Sequence, residues 1–165
     1  MKTAGMIFVF ASLVLVGCRK SMQLGEAVRF WTQFGRFVQY AADAFRYQSV
    51  PVVRVIADYA RTGAPFALPG ACAERMRGGA SPPEAWAAAV ASCRAPLSAD
   101  DRAMLTEFGA GLGATDLQGQ LAHCALYAAR AAERRDEARA AQRRKARLYP
   151  MLGAAAGLGL ILLLA

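Results

Sequence analysis

The first strong pattern along the chain is an apolar stripe that begins at Leu24 and ends at Phe45. Apolar residues recur there at alternating spacings of three and four positions, at Leu24, Ala27, Trp31, Phe34, Val38, Ala41 and Phe45. This periodicity predicts one helix with a single buried face, which Phe30 and Phe37 widen. So many rings on one face need a partner surface of comparable size, which either the rest of the domain or another protein can supply.

Shorter helices follow, separated by proline and glycine turns. The residue before a proline is disfavoured in helical conformation, so the first helix should end before Ser49-Val50-Pro51. A later helix is marked by a capping box of Ser81 and Glu84 at its start. The predicted segments are residues 52–61, 71–76 and 82–92. Their short lengths and tight turns predict a compact antiparallel bundle.

Two more helices complete the predicted bundle. Ser98 is the expected N-cap of the first, which ends near Leu112-Gly113. Thr115 and Gln118 have the spacing of a second capping box, and this marks the start of the longest helix. The second half of that helix is almost all Ala, Arg, Glu and Gln, which form helices well and cores poorly. We therefore expect it to leave the bundle and lead towards the C-terminal end.

Both ends of the chain are apolar. No charge interrupts residues 3–18 or residues 150–165, and each run is about 16 residues, slightly short of the roughly 20 that span a bilayer. Flanking arginines can snorkel and lengthen the effective span. We predict transmembrane anchors at residues 1–18 and 148–165 on either side of a helical domain at residues 19–147. In the second anchor, Gly153 and Gly157 have the spacing of a helix-packing face, although a plain anchor has similar composition.

Composition and charge favour a membrane location for this all-α chain. Hydrophobic residues make up 56% of the sequence and charged residues only 19%, and the net charge is +8. Arg19 and Lys20 directly follow the first apolar run, and a basic cluster precedes the second: Arg139, Arg143, Arg144, Lys145 and Arg147. The positive-inside rule then places the middle domain in the cytoplasm. The arginines between Arg130 and Arg147 are interleaved with acids at Glu133, Asp136 and Glu137 and carry no aromatic residues for base stacking, which favours lipid headgroups over nucleic acid as their partner.

Candidate catalytic and metal-binding groups are few. The glycines between Gly109 and Gly113 have neither a preceding strand nor a following Gly-Lys-Ser/Thr, so we interpret them as a loosely packed helix end with a left-handed turn at Gly113. The single histidine, His123, lacks any zinc-ligand spacing and is expected to be packed or hydrogen-bonded. Cys72, Cys93 and Cys124 are predicted as small buried side chains. We expect no enzyme activity, cofactor or metal.

The sequence Leu15-Val16-Gly17-Cys18 supports an alternative. It resembles a lipobox, in which cleavage would leave Cys18 as a lipidated N-terminus and the domain on the outer face of the membrane. A lipid-anchored surface-binding protein is therefore the second hypothesis. Arg19 and Lys20 directly after the cleavage point favour a flank that is retained in the cytoplasm.

The order of motifs resembles the stage III sporulation protein AB family of endospore-forming bacteria. Its most specific part is a continuous run, Leu112-Gly113-Ala114-Thr115-Asp116-Leu117-Gln118-Gly119-Gln120-Leu121-Ala122-His123. Ser49-Val50-Pro51 and Ala85-Trp86 add weaker support. The first helix is more aromatic than the family pattern leads one to expect.

The resemblance implies a scaffold without catalytic residues. Family members are similar to the cytoplasmic domains of type II secretion platform proteins, and belong to the channel complex between mother cell and forespore. Implied partners are other stage III proteins, including a secretion-type ATPase, with a homo-oligomer as a further candidate. The implied location is the mother-cell membrane around the forespore. A polar stripe near the start of the long helix is either a buried hydrogen-bond network or a partner contact: Thr115, Asp116, Gly119, Gln120 and His123.

Overall fold

The computed structural model describes residues 25–47 and 50–164, and from residue 145 onwards it describes the backbone alone. These residues form six helices and no strand. The helices are α1 (25–47), α2 (Val52–Arg61), α3 (Ala67–Arg77), α4 (Pro82–Ala91), α5 (Ala99–Gly111) and α6 (Leu117–Leu164). The predicted all-α helical bundle is therefore confirmed for the described part of the chain.

The helix boundaries follow local capping chemistry. Ser98 and Asp101 form a capping box at α5, with the Asp101 N–H 3.1 Å from the Ser98 Oγ. Helix α3 begins four residues before its predicted start, because Pro69 lies in the first turn, where a missing N–H costs nothing. The predicted capping box at Thr115 is wrong. Asp116 caps α6 instead, because its Oδ1 accepts the Gly119 N–H at 2.9 Å.

Helix α1 lies at the centre of the core, and its aromatic face is covered by the rest of the domain. Phe37 contacts the rings of Tyr59, Phe66, Trp86 and Phe108, which come from α2, the residue preceding α3, α4 and α5. The Phe37 and Trp86 rings stack with centroids 5.3 Å apart. Each such pair adds roughly 0.5–1.5 kcal/mol beyond the burial of apolar area. The partner surface that the stripe requires is thus internal.

Helix α6 runs antiparallel to both α1 and α5. A Cβ atom built at Gly35 would lie 3.9 Å from the Ala131 Cβ, and one built at Gly25 would lie 3.9 Å from the Gln142 Nε2. Residue numbers thus rise along α1 as they fall along α6. Gly25, the first described residue of α1, and Gln142 of α6 therefore lie at the same end of the bundle.

The predicted anchors stay predictions. Residues 1–24, which include the first anchor and Cys18, lie outside the described residues. Within the part of the chain that the structure describes, no helix has the length and apolar character needed to cross a membrane. The second predicted anchor, with Gly153 and Gly157, falls where only the helical backbone of α6 is described.

Two of the cysteines behave as predicted. Cys72 and Cys124 are buried, and burial raises the pKa of each thiol to about 11. Cys93 is only half-buried, because it lies in the turn after α4 and not on an inward-facing helix position. The prediction of a buried side chain is wrong for Cys93.

Candidate interface at the α5–α6 turn

The C-terminal end of α5 is held by side chains of α6. The last four carbonyl groups of a helix have no intrahelical donor. His123 Nε2 donates to the carbonyl oxygen of Phe108 at 2.9 Å, and Gln120 Nε2 donates to that of Gly111 at 3.1 Å. A carbonyl oxygen only accepts, so the proton on His123 lies on Nε2. We call these two side chains and the two carbonyls they bind the α5–α6 clamp.

Gln120 uses its whole amide group. Its side chain is buried, with 5% exposed. Its Oε1 accepts the Gly113 N–H at 2.9 Å, and its Nε2 also donates to the Thr115 Oγ1 at 3.1 Å. Both amide hydrogens and the oxygen are therefore paired. A buried polar group satisfied in this way fixes the position of the elements it joins.

The glycine-rich segment is tightly packed, in contrast to the prediction of a loose helix end. A Cβ atom at Gly111 would lie 2.2 Å from the His123 Cε1, and one at Gly109 would lie 2.1 Å from the Trp86 Cδ1. Because both glycines lack a side chain, the Trp86 and His123 rings can pack directly against the α5 backbone. Gly113 has φ 79°, which confirms the predicted left-handed turn.

The five residues of the predicted polar stripe are brought together, in different roles. Gln120 and His123 form the clamp, and Thr115 accepts from Gln120. Asp116 caps α6. Gly119 lies against the Thr115 side chain, and a Cβ at Gly119 would be only 2.5 Å from the Thr115 Oγ1. The hydrogen-bond network is thus present, while a partner contact stays a prediction. Among the described residues, no three His, Cys, Asp or Glu side chains come together as a metal site requires.

An open groove of about 480 Å³ lies beside the clamp. The N-terminal ends of α2, α4 and α6 meet around it, and we call it the end groove. Its lining is mostly apolar and includes Phe45, Val50, Pro51, Pro83, Leu112 and Leu117, with Thr115 and Gln120 as polar neighbours. Sequence reasoning missed this groove, because only the fold brings Val50 and Pro51 against the Leu112–Gln120 segment.

Comparison with known proteins identifies one family. The sequence model described as stage III sporulation protein AB matches residues 2–165. No curated protein and no solved structure gives a significant match. The matched range includes every element described above.

Proposed function

This chain belongs to the stage III sporulation protein AB family, which implies a role in stage III of sporulation, and we propose that it acts there as a non-enzymatic, membrane-anchored scaffold. In this proposal it belongs to the secretion-like channel complex between mother cell and forespore. Its bundle lies in the cytoplasm and binds other stage III proteins, among them a secretion-type ATPase.

The observation that carries the proposal is the position of the two chain ends. Gly25 of α1 and Gln142 of α6 lie side by side at one end of the bundle. In the proposed arrangement, the apolar segments beyond them leave the bundle from this end. From Gln142 to Leu164, α6 extends about 33 Å further at 1.5 Å per residue. Two anchors that leave together can enter one membrane while the bundle projects from it.

The charge distribution along α6 supports the same orientation. The acids of the helix end at Glu137, and beyond it the charged residues up to the apolar tail are all basic. Cations next to an apolar segment favour the cytoplasmic side and contact anionic headgroups. This pattern supports a juxtamembrane position for the last turns before the second predicted anchor.

The role of the polar groups supports a scaffold. Gln120 and the Nε2 of His123 are occupied in holding α5 against α6. The thiols of Cys72 and Cys124 are buried, and their raised pKa keeps them protonated at neutral pH. These four side chains are thus engaged in the fold, which supports protein binding as the proposed function.

Labelling in cells tests the topology. We would introduce Gln118→Cys at an exposed position of α6 in a full-length chain with Cys93→Ser, and treat cells with a membrane-impermeant maleimide before or after permeabilisation. The parent without Gln118→Cys gives the background from Cys18, Cys72 and Cys124. We expect labelling only after permeabilisation. Labelling of intact cells, together with a mature chain that begins at acylated Cys18, would replace the proposal by the lipid-anchored alternative.

A further inference from the structure

We propose that the end groove binds an apolar segment of a partner protein that carries a carboxylate beside its apolar side chains. This inference rests on the proposed function, because it assigns the surface with which the scaffold holds its partner. Gln120 and Thr115 then have two roles, because they hold the turn between α5 and α6 and also line the groove.

The apolar character of the groove is the first argument. Val53 and Leu117 line it, and 49% and 46% of their surfaces are exposed. Phe45, Val50 and Leu112 form deeper parts of the lining. A volume of about 480 Å³ is in the range of sites that bury several apolar groups. Docking an apolar segment would remove this surface from water.

The charge at the groove is the second argument. At the start of α2, the N–H groups of Arg54 and Val55 donate to the Pro51 carbonyl oxygen, while those of Val52 and Val53 have no intrahelical acceptor and carry the partial positive charge of the helix end. Pro51 precedes them and offers no side-chain acceptor, and the first turn of α2 contains no acid. Arg54, whose side chain is 70% exposed, adds a full positive charge in that turn and pairs with Asp58 at 3.7 Å. A carboxylate from outside would be favoured at this place.

The other two helix ends at the groove are already compensated. Glu84 accepts the Ser81 N–H at the start of α4, and Asp116 caps α6. The positive side of the groove is thus the α2 side. The charge pattern therefore specifies the orientation of the partner segment, with its carboxylate next to Val53 and its apolar side chains towards Leu117.

The position of the groove argues for a separate protein as its occupant. Leu117 starts α6, and Gln142 lies about 38 Å further along the helix, at the end where the chain leaves the bundle. Residues 19–24 span about 21 Å at most when fully extended, so they cannot bring the N-terminal anchor from the membrane to the groove. The groove therefore faces away from the membrane and from the two anchors of its own chain.

Photo-crosslinking identifies the occupant. A benzophenone amino acid would replace Leu117 in the full-length chain in sporulating cells, with Leu126 as the matched control, because Leu126 is 50% exposed on α6 and does not line the groove. We expect an adduct at position 117 and none at 126, with the crosslinked peptide from a stage III protein and containing apolar residues beside Asp or Glu. The proposal would be overturned by any of four other results: a crosslink to a peptide of this chain, a crosslink to lipid, no adduct, or equal adducts at positions 117 and 126.

Charge reversal tests the carboxylate. Val53→Glu and Val53→Lys both remove the valine side chain, but they place charges of opposite sign at the N-terminal end of α2. We expect Val53→Glu to lower the amount of stage III proteins that co-purify with the full-length chain at least fivefold. Val53→Lys should leave this amount within twofold of the wild type. Equal losses of co-purified protein with both variants would show that the bound segment carries no carboxylate at this position.

A deletion strain separates this inference from the proposed function. If deletion of the chain disrupts the stage III complex while Val53→Glu and Leu117→Glu leave it intact, the groove assignment is wrong and the scaffold stands. If deletion leaves the complex intact, the scaffold itself is wrong. Leu126→Glu serves as the control for an added surface charge, and buried-tryptophan fluorescence of each purified variant verifies folding.

Discussion

His123 contacts Phe108 in two ways: its Nε2 donates to the Phe108 carbonyl oxygen at 2.9 Å, and its imidazole stacks on the Phe108 ring with centroids 5.4 Å apart. One side chain of α6 thus binds both the backbone and the side chain of a single α5 residue. The pair therefore holds the start of α6 against the end of α5. The direction of α6 then sets where its far end meets the membrane in the proposed arrangement.

Removal of this contact should destabilise the bundle. His123→Ala leaves the buried carbonyl of Phe108 without a donor, and we expect a loss of about 1–3 kcal/mol in the free energy of unfolding. His123→Phe keeps a ring on Phe108 and loses only the hydrogen bond, so its loss should be smaller. Urea unfolding of the full-length chain in detergent, followed by the fluorescence of the buried Trp31 and Trp86, measures both values. Equal stability of His123→Ala and the wild type would contradict the clamp.

Gln120 should be more sensitive than its exposed neighbour Gln118. Gln120→Leu leaves the Gly113 N–H and the Gly111 carbonyl without their side-chain partner, which we expect to cost about 2–3 kcal/mol. Gln118→Leu changes the same residue type on the solvent side of α6 and should stay within about 0.5 kcal/mol of the wild type. The same unfolding assay compares the two. Similar losses at both positions would show that burial of Gln120 does not matter.

Gly109 offers a test of the close approach to Trp86. Gly109→Ala would bring a methyl group within 2.1 Å of the Trp86 Cδ1, so the ring must move and stability should fall by about 1–3 kcal/mol. Gly70→Ala is the matched control, because it also lies in a helix and nothing lies within 4 Å of its added Cβ. That variant should be neutral or gain about 0.5–1 kcal/mol. A crystal structure or nuclear magnetic resonance shifts of the Trp86 indole would report the displacement directly.

The helices could be predicted from the sequence where local chemistry decides them. The Trp31–Phe45 stripe and the Ser81 and Ser98 caps require only neighbours in the chain, and α2 has its predicted bounds. The role of Gly109 could not be predicted, because the ring it admits comes from another helix. Similarly, the end groove depends on three helix ends that are distant in sequence.

The thiols provide a prediction about reactivity and pH. Cys72 and Cys124 are buried with a pKa of about 11, so iodoacetamide at pH 8 should modify the half-buried Cys93 much faster than either. The same pKa shifts also predict how the stability of the fold changes with pH. Above the ordinary thiol pKa the unfolded chain loses protons that the folded chain retains, so stability should fall as the pH rises from about 9 to 11. Peptide mass spectrometry after timed alkylation measures the rates, and equal rates for all three would contradict the packing.

The central claim is that Gly25 of α1 and Gln142 of α6 lie side by side at one end of the bundle, and cysteine crosslinking tests it most directly. We would place Gly25→Cys and Gln142→Cys in a full-length chain with Cys18→Ser and Cys93→Ser, and treat native membranes with a short bismaleimide crosslinker. The structure predicts an intramolecular crosslink between these positions, because a Cβ at Gly25 lies 3.9 Å from the end of the Gln142 side chain, within reach of a short linker. It predicts none between Gly25→Cys and Gln118→Cys, because Gln118 lies about 36 Å along α6 from Gln142. No crosslink in the first pair, or a crosslink in the second, would contradict the account.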